Sequence, residues 1–145
     1  MRRIDRTLYR MRTKQGGFTL IELMIVVAVI AVLTLIAYPS YISSVRKGKR
    51  GQAKTDLVTL AANMERCYTQ TNAYTSPPCG LSYNTSGTNG QVNYNITLTV
   101  PNAQAFTITA TPVGDQLKDP CGALSVDQAG NRSAAVTQSS GQSCF

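Results

Sequence analysis

The sequence predicts an α+β protein in which one long N-terminal helix packs on a four-stranded antiparallel sheet. Three observations support this class. Residues 18–38 are almost entirely apolar, a helical apolar stripe follows as far as residue 68, and apolar and polar residues alternate from residue 92. The chain has 145 residues, which is the size of one ordinary domain. We therefore expect one membrane element joined to one globular head.

The apolar run has the length and the flanking charges of a membrane span. Its 21 residues would form a helix of about 30 Å, which is the thickness of a bilayer core. Residues 1–17 carry a net charge of +5, and residues 46–50 carry +4. Because the larger basic segment stays on the cytoplasmic side, the N-terminus is predicted to face the cytoplasm and the rest of the chain to be exported.

The helix is predicted to continue beyond the membrane span to about Gln70. Its second half shows an apolar stripe at helical spacing, formed by Ala53, Leu57, Leu60, Ala61, Met64 and Tyr68. Pro39 lies inside the predicted helix, where it removes a hydrogen bond and is expected to cause a kink. The first half would then be the stem, and the second half would pack on the sheet.

Four strands are predicted after the helix. Apolar residues alternate with Asn and Thr between Val92 and Val100, and again between Phe106 and Ala110, on either side of a predicted turn at Pro101-Asn102. A shorter pair is predicted at residues 123–126 and 132–136. The Ser-, Asn- and Gly-rich residues 84–90 are predicted to be a loop.

The composition argues against catalysis and against a metal site. The chain has no His, and so it lacks the commonest general base and the commonest metal ligand. Its four cysteines show no C-x-x-C spacing. In an exported domain they indicate two disulfides, for which three connectivities are possible. We therefore predict no enzymatic activity, no metal and no cofactor.

Glu22 is a carboxylate inside an apolar span, which is costly and calls for a cationic partner. It stands within the string GGFTLIELMIVV at residues 16–27, which resembles the prepilin signature of type IV pilins. The resemblance implies that a prepilin peptidase cuts between Gly17 and Phe18 and methylates Phe18. It also implies that Glu22 meets the N-terminal amine of a neighbouring subunit during assembly.

The second half is similar to the PilE-like minor pilins of type IVa systems in Gram-negative bacteria. The similarity is carried by residues 110–116 (ATPVGDQ), 119–125 (DPCGALS), 130–131 (GN) and 144–145 (CF). It implies the pilin fold and a disulfide between Cys121 and Cys144, which leaves Cys67 to pair with Cys79. The expected organisation is a cytoplasmic leader at residues 1–17, a stem at 18–50 and a head at 51–145.

These features predict a structural subunit of a type IVa pilus, a minor pilin that supports pilus assembly, twitching motility, adhesion and DNA uptake. The expected partners are other pilins, the prepilin peptidase, the inner-membrane assembly machinery and, before assembly, the membrane. The expected location is first the inner membrane, with the head in the periplasm, and then the extracellular pilus. Alternatives are a DNA-binding competence pilin, a major pilin or a type II secretion pseudopilin.

Nucleic acid is not an expected partner, because the head from Gly51 onward has a net charge of −1. Its basic residues are Lys54, Arg66, Lys118 and Arg132, and we expect a 51–145 fragment to show no measurable DNA binding at physiological ionic strength. One alternative stays open, in which folding brings Arg66, Lys118 and Arg132 together into a basic patch.

Overall fold

The computed structural model describes residues 17–136 and 143–145. Helix α1 spans Leu20–Thr71, as the apolar run and the amphipathic stripe predict. Pro39 lies inside it. The chain divides into two compact units, one ending at Tyr38 and the other spanning Pro39–Phe145. We call the second unit the head unit.

By length and composition, the N-terminal part of α1 could cross a membrane. Its large apolar side chains are exposed, from Phe18 at 82% to Val26 at 47%. This exposure suits a segment whose apolar surface is covered by lipid or by other subunits rather than by its own chain.

The sheet has five strands rather than four, in the order β1-β2-β3-β4-β5, and all neighbours are antiparallel. The strands are β1 (Thr85–Thr88), β2 (Gln91–Asn102), β3 (Ala105–Pro112), β4 (Leu124–Asp127) and β5 (Arg132–Ala134). A short 3-10 helix, Gly114–Lys118, lies between β3 and β4.

The additional strand, β1, lies in the segment that the sequence analysis predicted to be a loop. Thr88 pairs with Gln91, so Asn89 and Gly90 form a two-residue hairpin turn. Their φ angles are 53° and 77°, and an Asn-Gly pair adopts this conformation readily. At Gly87, an added Cβ would lie 2.0 Å from the carbonyl oxygen of Gln91, so the hairpin also requires a glycine there.

Strand β2 departs from strict alternation at its start. The β1–β2 register shifts between Ser86 and Gly87, so that Asn93 has no partner across the pair. Asn93 is buried and donates hydrogen bonds to Thr88 Oγ1 and the Gln91 carbonyl, both at 3.3 Å, whereas Val92 is exposed. The expected inward position of Val92 is therefore wrong.

The other strand boundaries shift slightly. Strand β2 continues through Pro101 to Asn102 across a second irregularity, so the β2–β3 turn is Ala103–Gln104 and not Pro101-Asn102. The Asn102 side chain stabilises this turn by accepting a hydrogen bond from the Gln104 amide at 2.9 Å. Strand β5 ends at Ala134, two residues earlier than predicted.

The core lies between the second half of α1 and one face of the sheet. From the helix, Ala53, Leu57, Leu60 and Met64 are all fully buried, while Ala61 and Tyr68 lie at the margin. The sheet contributes Tyr94, Ile96, Phe106, Ile108, Ala110, Leu124 and Val126. These are the positions that the helical and strand periodicities predict.

Candidate functional site

The N-terminal end of α1 is capped by its own sequence. Thr19 Oγ1 accepts a hydrogen bond from the backbone amide of Glu22 at 3.3 Å, and the Thr19 carbonyl accepts one from Leu23 at 3.2 Å. Thr19 is therefore the N-cap and Glu22 occupies the third helical position, in the T-x-x-E spacing of a capping box. A carboxylate in the first turn also interacts favourably with the positive end of the helix dipole.

The expected processing and assembly residues lie together at this end. Gly17 and Phe18 precede the helix and are exposed, and Glu22 follows one turn later. Among the described residues, no cation forms an ion pair with Glu22. The rest of the expected leader, residues 1–16, lies outside the described residues.

The head unit contains two disulfides. Cys67, near the end of α1, is joined to Cys79 in the following loop, and Cys121 is joined to Cys144 next to the C-terminus. The Cα atoms are 5.5 Å and 5.6 Å apart, within the usual range for a disulfide. This is the connectivity that the resemblance implies, and it occupies all four thiols.

A buried polar network joins α1 to the loop that follows the 3-10 helix. Arg50 Nη1 donates to Asp119 Oδ1 at 2.7 Å and to Oδ2 at 2.9 Å, and the two side chains are only 7% and 1% exposed. Gln116 Nε2 lies within hydrogen-bond distance of Asp119, the Tyr94 hydroxyl and the backbone carbonyl of Arg46, at 3.0–3.1 Å. The segment around Arg46–Arg50 is therefore packed against the sheet-bearing part of the head.

A cleft of about 140 Å³ lies beside this network. It is lined by Ser43, Arg46, Lys47, Arg50, Lys118, Asp119 and Pro120. Asp119, the acidic residue of the lining, is already neutralised by Arg50. Arg46 Nε is shielded from solvent and has no hydrogen-bond partner. A cleft with these properties favours an anion.

Positive charge extends from the cleft along the head. Lys54 lies one helical turn beyond Arg50, with its Nζ 5.4 Å from the ring centroid of Phe145. Burial lowers the pKa of Lys54, and the positive charges of Arg50 and Arg132 lower it further, while Asp119 opposes the shift. Lys54 therefore feels the field of Arg132, a residue of strand β5. We use the term basic head surface for Arg46, Lys47, Lys54, Lys118 and Arg132.

Because Arg46, Lys47 and Arg50 belong to the head unit, the net charge of the head is more positive than the count from Gly51 indicates. The head unit from Pro39 onward has eight basic and five acidic residues, a net charge of +3, whereas the count from Gly51 gave −1. Arg46, Lys47 and Arg50 were expected in the stem, because they follow the membrane span in sequence, but they belong to the head unit. Arg66 was part of the basic patch that the sequence left open as an alternative, but it lies twelve residues beyond Lys54 along α1, or about 18 Å, and is not part of the basic head surface.

The sequence matches two known families. Residues 12–38 match the prokaryotic N-terminal methylation motif, and residues 39–125 match the family described as type IV minor pilin ComP, DNA uptake sequence receptor. The second match covers more than half of the chain and includes four of the five basic head surface residues, the exception being Arg132. No curated protein matches the chain.

Solved pilin structures resemble the chain. The non-core minor pilin PilV from Neisseria meningitidis is 25% identical, with a TM-score of 0.51, and the match covers 70% of this chain and 95% of PilV. A type IV pilin from Shewanella oneidensis is 27% identical, with a TM-score of 0.49, over 69% of this chain and 97% of that one. The long helix on an antiparallel sheet is thus the type IV pilin fold, and together with the match over residues 39–125 it shows that the chain belongs to the ComP family of type IV minor pilins.

Proposed function

We propose that this minor pilin binds duplex DNA through the basic head surface and presents it to a type IV pilus for uptake. The description of the matched family, a DNA uptake sequence receptor, supports the choice of ligand. The observation that carries the proposal is that Arg46, Lys47 and Lys118 line one cleft, with Lys54 one helical turn beyond Arg50. This proposal replaces the expectation that nucleic acid is not a partner.

The physical basis is phosphate neutralisation. Affinity for DNA comes mainly from Lys and Arg side chains that displace counterions, and each phosphate contact adds about 0.9 to the slope of log K against log salt. Lys47, Lys118 and Arg132 are exposed. Lys118 forms an ion pair with Asp115 at an N···O distance of 3.3 Å, and Asp115 is also exposed. An exposed pair of this kind is weak, and a phosphate can replace the carboxylate.

The methylation motif and the apolar helix support the remaining steps of the proposal. In the proposed sequence, the prepilin peptidase cuts before Phe18 and methylates it, while residues 18–38 hold the subunit in the inner membrane of a Gram-negative cell with its head in the periplasm. The assembly machinery then transfers the helix into the pilus, where Glu22 meets the amine of a neighbouring subunit.

The test is DNA binding by the full chain in detergent, measured as fluorescence anisotropy of a labelled duplex at several salt concentrations. We expect dissociation constants of about 10⁻⁶ to 10⁻⁴ M for duplexes of arbitrary sequence. The triple variant Lys54→Gln/Lys118→Gln/Arg132→Gln should lose up to about 2.7 from the salt slope, about 0.9 for each phosphate that is left without a cation. Arg66→Gln is the matched control, because Arg66 is exposed on α1 away from this surface.

A wild-type chain that binds no duplex, or a triple variant that binds like wild type, would show that the DNA proposal is wrong. The second candidate function would then apply, a minor pilin that supports pilus assembly, twitching or adhesion. The similarity to the non-core minor pilin PilV favours this candidate. It predicts that deletion of the gene lowers piliation or twitching, whereas the triple variant restores both.

A further inference from the structure

The cleft beside the buried Arg50–Asp119 pair has the features of a binding site for one phosphate group. Arg46, Lys47, Lys118 and Ser43 contribute to its lining. Arginine and lysine together with a hydroxyl form a donor set suited to phosphate oxygens. The Asp119 carboxylate is occupied by Arg50, Gln116 and the Cys121 amide, and so it offers little opposing charge.

Arg46 is the residue that distinguishes this cleft from an ordinary basic surface. Its Nε atom is withdrawn from solvent and makes no hydrogen bond, which is costly for a charged donor group. Its backbone carbonyl accepts a hydrogen bond from the buried Gln116 at 3.1 Å, so the helix is fixed at this position. Arg46 therefore lines the cleft with one donor unpaired, and its positive charge favours an anionic oxygen there.

From this geometry we infer that the cleft binds one backbone phosphate of the DNA, with Arg46 and Lys118 contacting the same phosphate from opposite walls. The inference rests on the proposed DNA binding and assigns the position at which the strand is anchored. Lys54, one helical turn beyond Arg50, continues the positive charge along α1, and the charge of Arg132 also acts on Lys54. A row of cations of this kind suits a polyanion with successive phosphates better than a small isolated anion.

The inferred site contributes to DNA affinity but does not recognise the base sequence of the DNA. A phosphate contact fixes the register of a protein on the duplex but carries no direct base information. Loss of the contact should therefore weaken binding to all duplexes by a similar factor. A residue that reads base edges would instead change the ranking of sequences.

The experiment compares Arg46→Gln, Lys118→Gln, the double variant and the control Arg66→Gln, all as full chains in phospholipid-free detergent. Arg46→Gln should bind duplex about tenfold more weakly, the loss expected for one hydrogen bond to a charged group. Its salt slope should change little, because Lys118 still contacts the phosphate. The double variant should lose about 0.9 from the salt slope, because the shared phosphate then has neither cation, and Arg66→Gln should change affinity less than about twofold.

The outcomes separate the two proposals. If the wild type binds DNA and Arg46→Gln binds DNA as tightly as Arg66→Gln does, the inferred phosphate-binding site is wrong while the proposed function stands. A slope loss of about 0.9 in each single variant, or of about 1.8 in the double variant, would also overturn the shared phosphate. A wild type that binds no DNA overturns the proposed function itself. If Arg46→Gln keeps DNA binding but loses co-purifying anionic phospholipid, measured as lipid phosphorus, the cleft binds a lipid headgroup and the inference is wrong.

Thermal unfolding and the Lys118→Gln variant control for a folding defect in Arg46→Gln. The Arg46 side chain makes no hydrogen bond through Nε, so its replacement by Gln leaves no partner unpaired there. Thermal unfolding of each variant should match the wild type. Lys118 is exposed, so Lys118→Gln gives an independent test of the cleft that does not depend on a partly buried position.

Discussion

The guanidinium of Arg50 and the carboxylate of Asp119 form a buried two-point ion pair at 2.7 and 2.9 Å, across 69 residues of sequence. This contact joins the helix segment that follows the membrane span to the loop at the base of the sheet. It also makes Arg50 part of the head, although charge counting along the chain assigns it to the stem. The first prediction follows from this contact.

Arg50→Met should destabilise the head by about 3–5 kcal/mol, because it leaves the Asp119 carboxylate buried without its cation. The second substitution in Arg50→Met/Asp119→Asn removes that charge and should recover most of the loss. Urea unfolding measures both variants. Lys118→Met is the control, since its pair with Asp115 is exposed and should contribute less than about 1 kcal/mol. Equal losses at Arg50 and Lys118 would contradict the prediction.

Processing should leave Phe18 as the first residue of the mature protein. Mass spectrometry of the chain recovered from sheared pili should find an N-terminal peptide that begins with methylated Phe18 and lacks Gly17. The methylation motif at residues 12–38 is the basis of this prediction. An N-terminus at Met1, or one that follows Ala37, would contradict it.

Glu22→Ala should insert and be cleaved but should be excluded from pili, because it lacks the carboxylate proposed to meet the neighbouring amine. Thr19→Ala is a matched control. It removes the side-chain cap of α1, at a cost of about 0.5–2 kcal/mol, but keeps the charge. Immunoblots of sheared pili should therefore contain Thr19→Ala and lack Glu22→Ala. If both variants are excluded, the helix cap and not the charge is required.

The two disulfides should each stabilise the head by about 3 kcal/mol, since they close loops with sequence separations of 12 and 23 residues. Cys121→Ala/Cys144→Ala should also weaken DNA binding. Cys144 precedes Phe145, whose ring contacts Lys54 of the basic head surface. Cys67→Ala/Cys79→Ala should lower stability without this second effect. Unfolding and DNA anisotropy of both variants test the distinction, and an equal loss of DNA affinity would contradict it.

Tyr74 should make stability depend on pH in the alkaline range. Its hydroxyl donates to Glu65 Oε1 at 2.7 Å, and burial, followed by the hydrogen bond to Glu65, raises the pKa of Tyr74 above its ordinary value of 10.0. Above pH 10 the unfolded chain therefore releases this proton while the folded head keeps it, and the stability contributed by Tyr74 falls.

Tyr74→Phe should cost about 1 kcal/mol at pH 7, through loss of the hydrogen bond. The variant lacks the alkaline loss of the wild type, so the difference in unfolding free energy should shrink between pH 9 and pH 11. Urea unfolding at each pH measures it. A difference that stays constant or grows across this range would contradict the assigned role of Tyr74.

The sequence by itself determined the elements whose signals are local. The apolar run and the stripe from Ala53 to Met64 predict α1, and alternation predicts the inward positions of β2 and β3 at Tyr94, Ile96 and Phe106. These patterns succeed because a helix or strand needs one apolar face, and its period is visible within a dozen residues. The assembly end has the same local character, since Thr19 and Glu22 lie in one helical turn.

Strand β1 could have been predicted from Asn89-Gly90, which is the preferred pair for a two-residue hairpin turn. The polar composition of residues 84–90 concealed it, because this strand buries only Ser86. The shift at Asn93 has no comparable signal. It depends on how the β1–β2 hairpin meets the rest of the sheet, so the exposure of Val92 follows from pairing and not from alternation.

Only the tertiary structure decided the basic head surface. Gln116 bonds to the Arg46 carbonyl across 70 residues, and Lys54 feels the charge of Arg132 on the last strand. A count along the chain divides these charges between stem and head, because sequence order does not show which side chains share a surface. Folding brings these charges together because the apolar stripe on α1 packs against the sheet. The same packing brings Arg46–Arg50 against the loop that contains Gln116 and Asp119. Arg50 is buried there, and a buried guanidinium requires a carboxylate partner, which Asp119 provides.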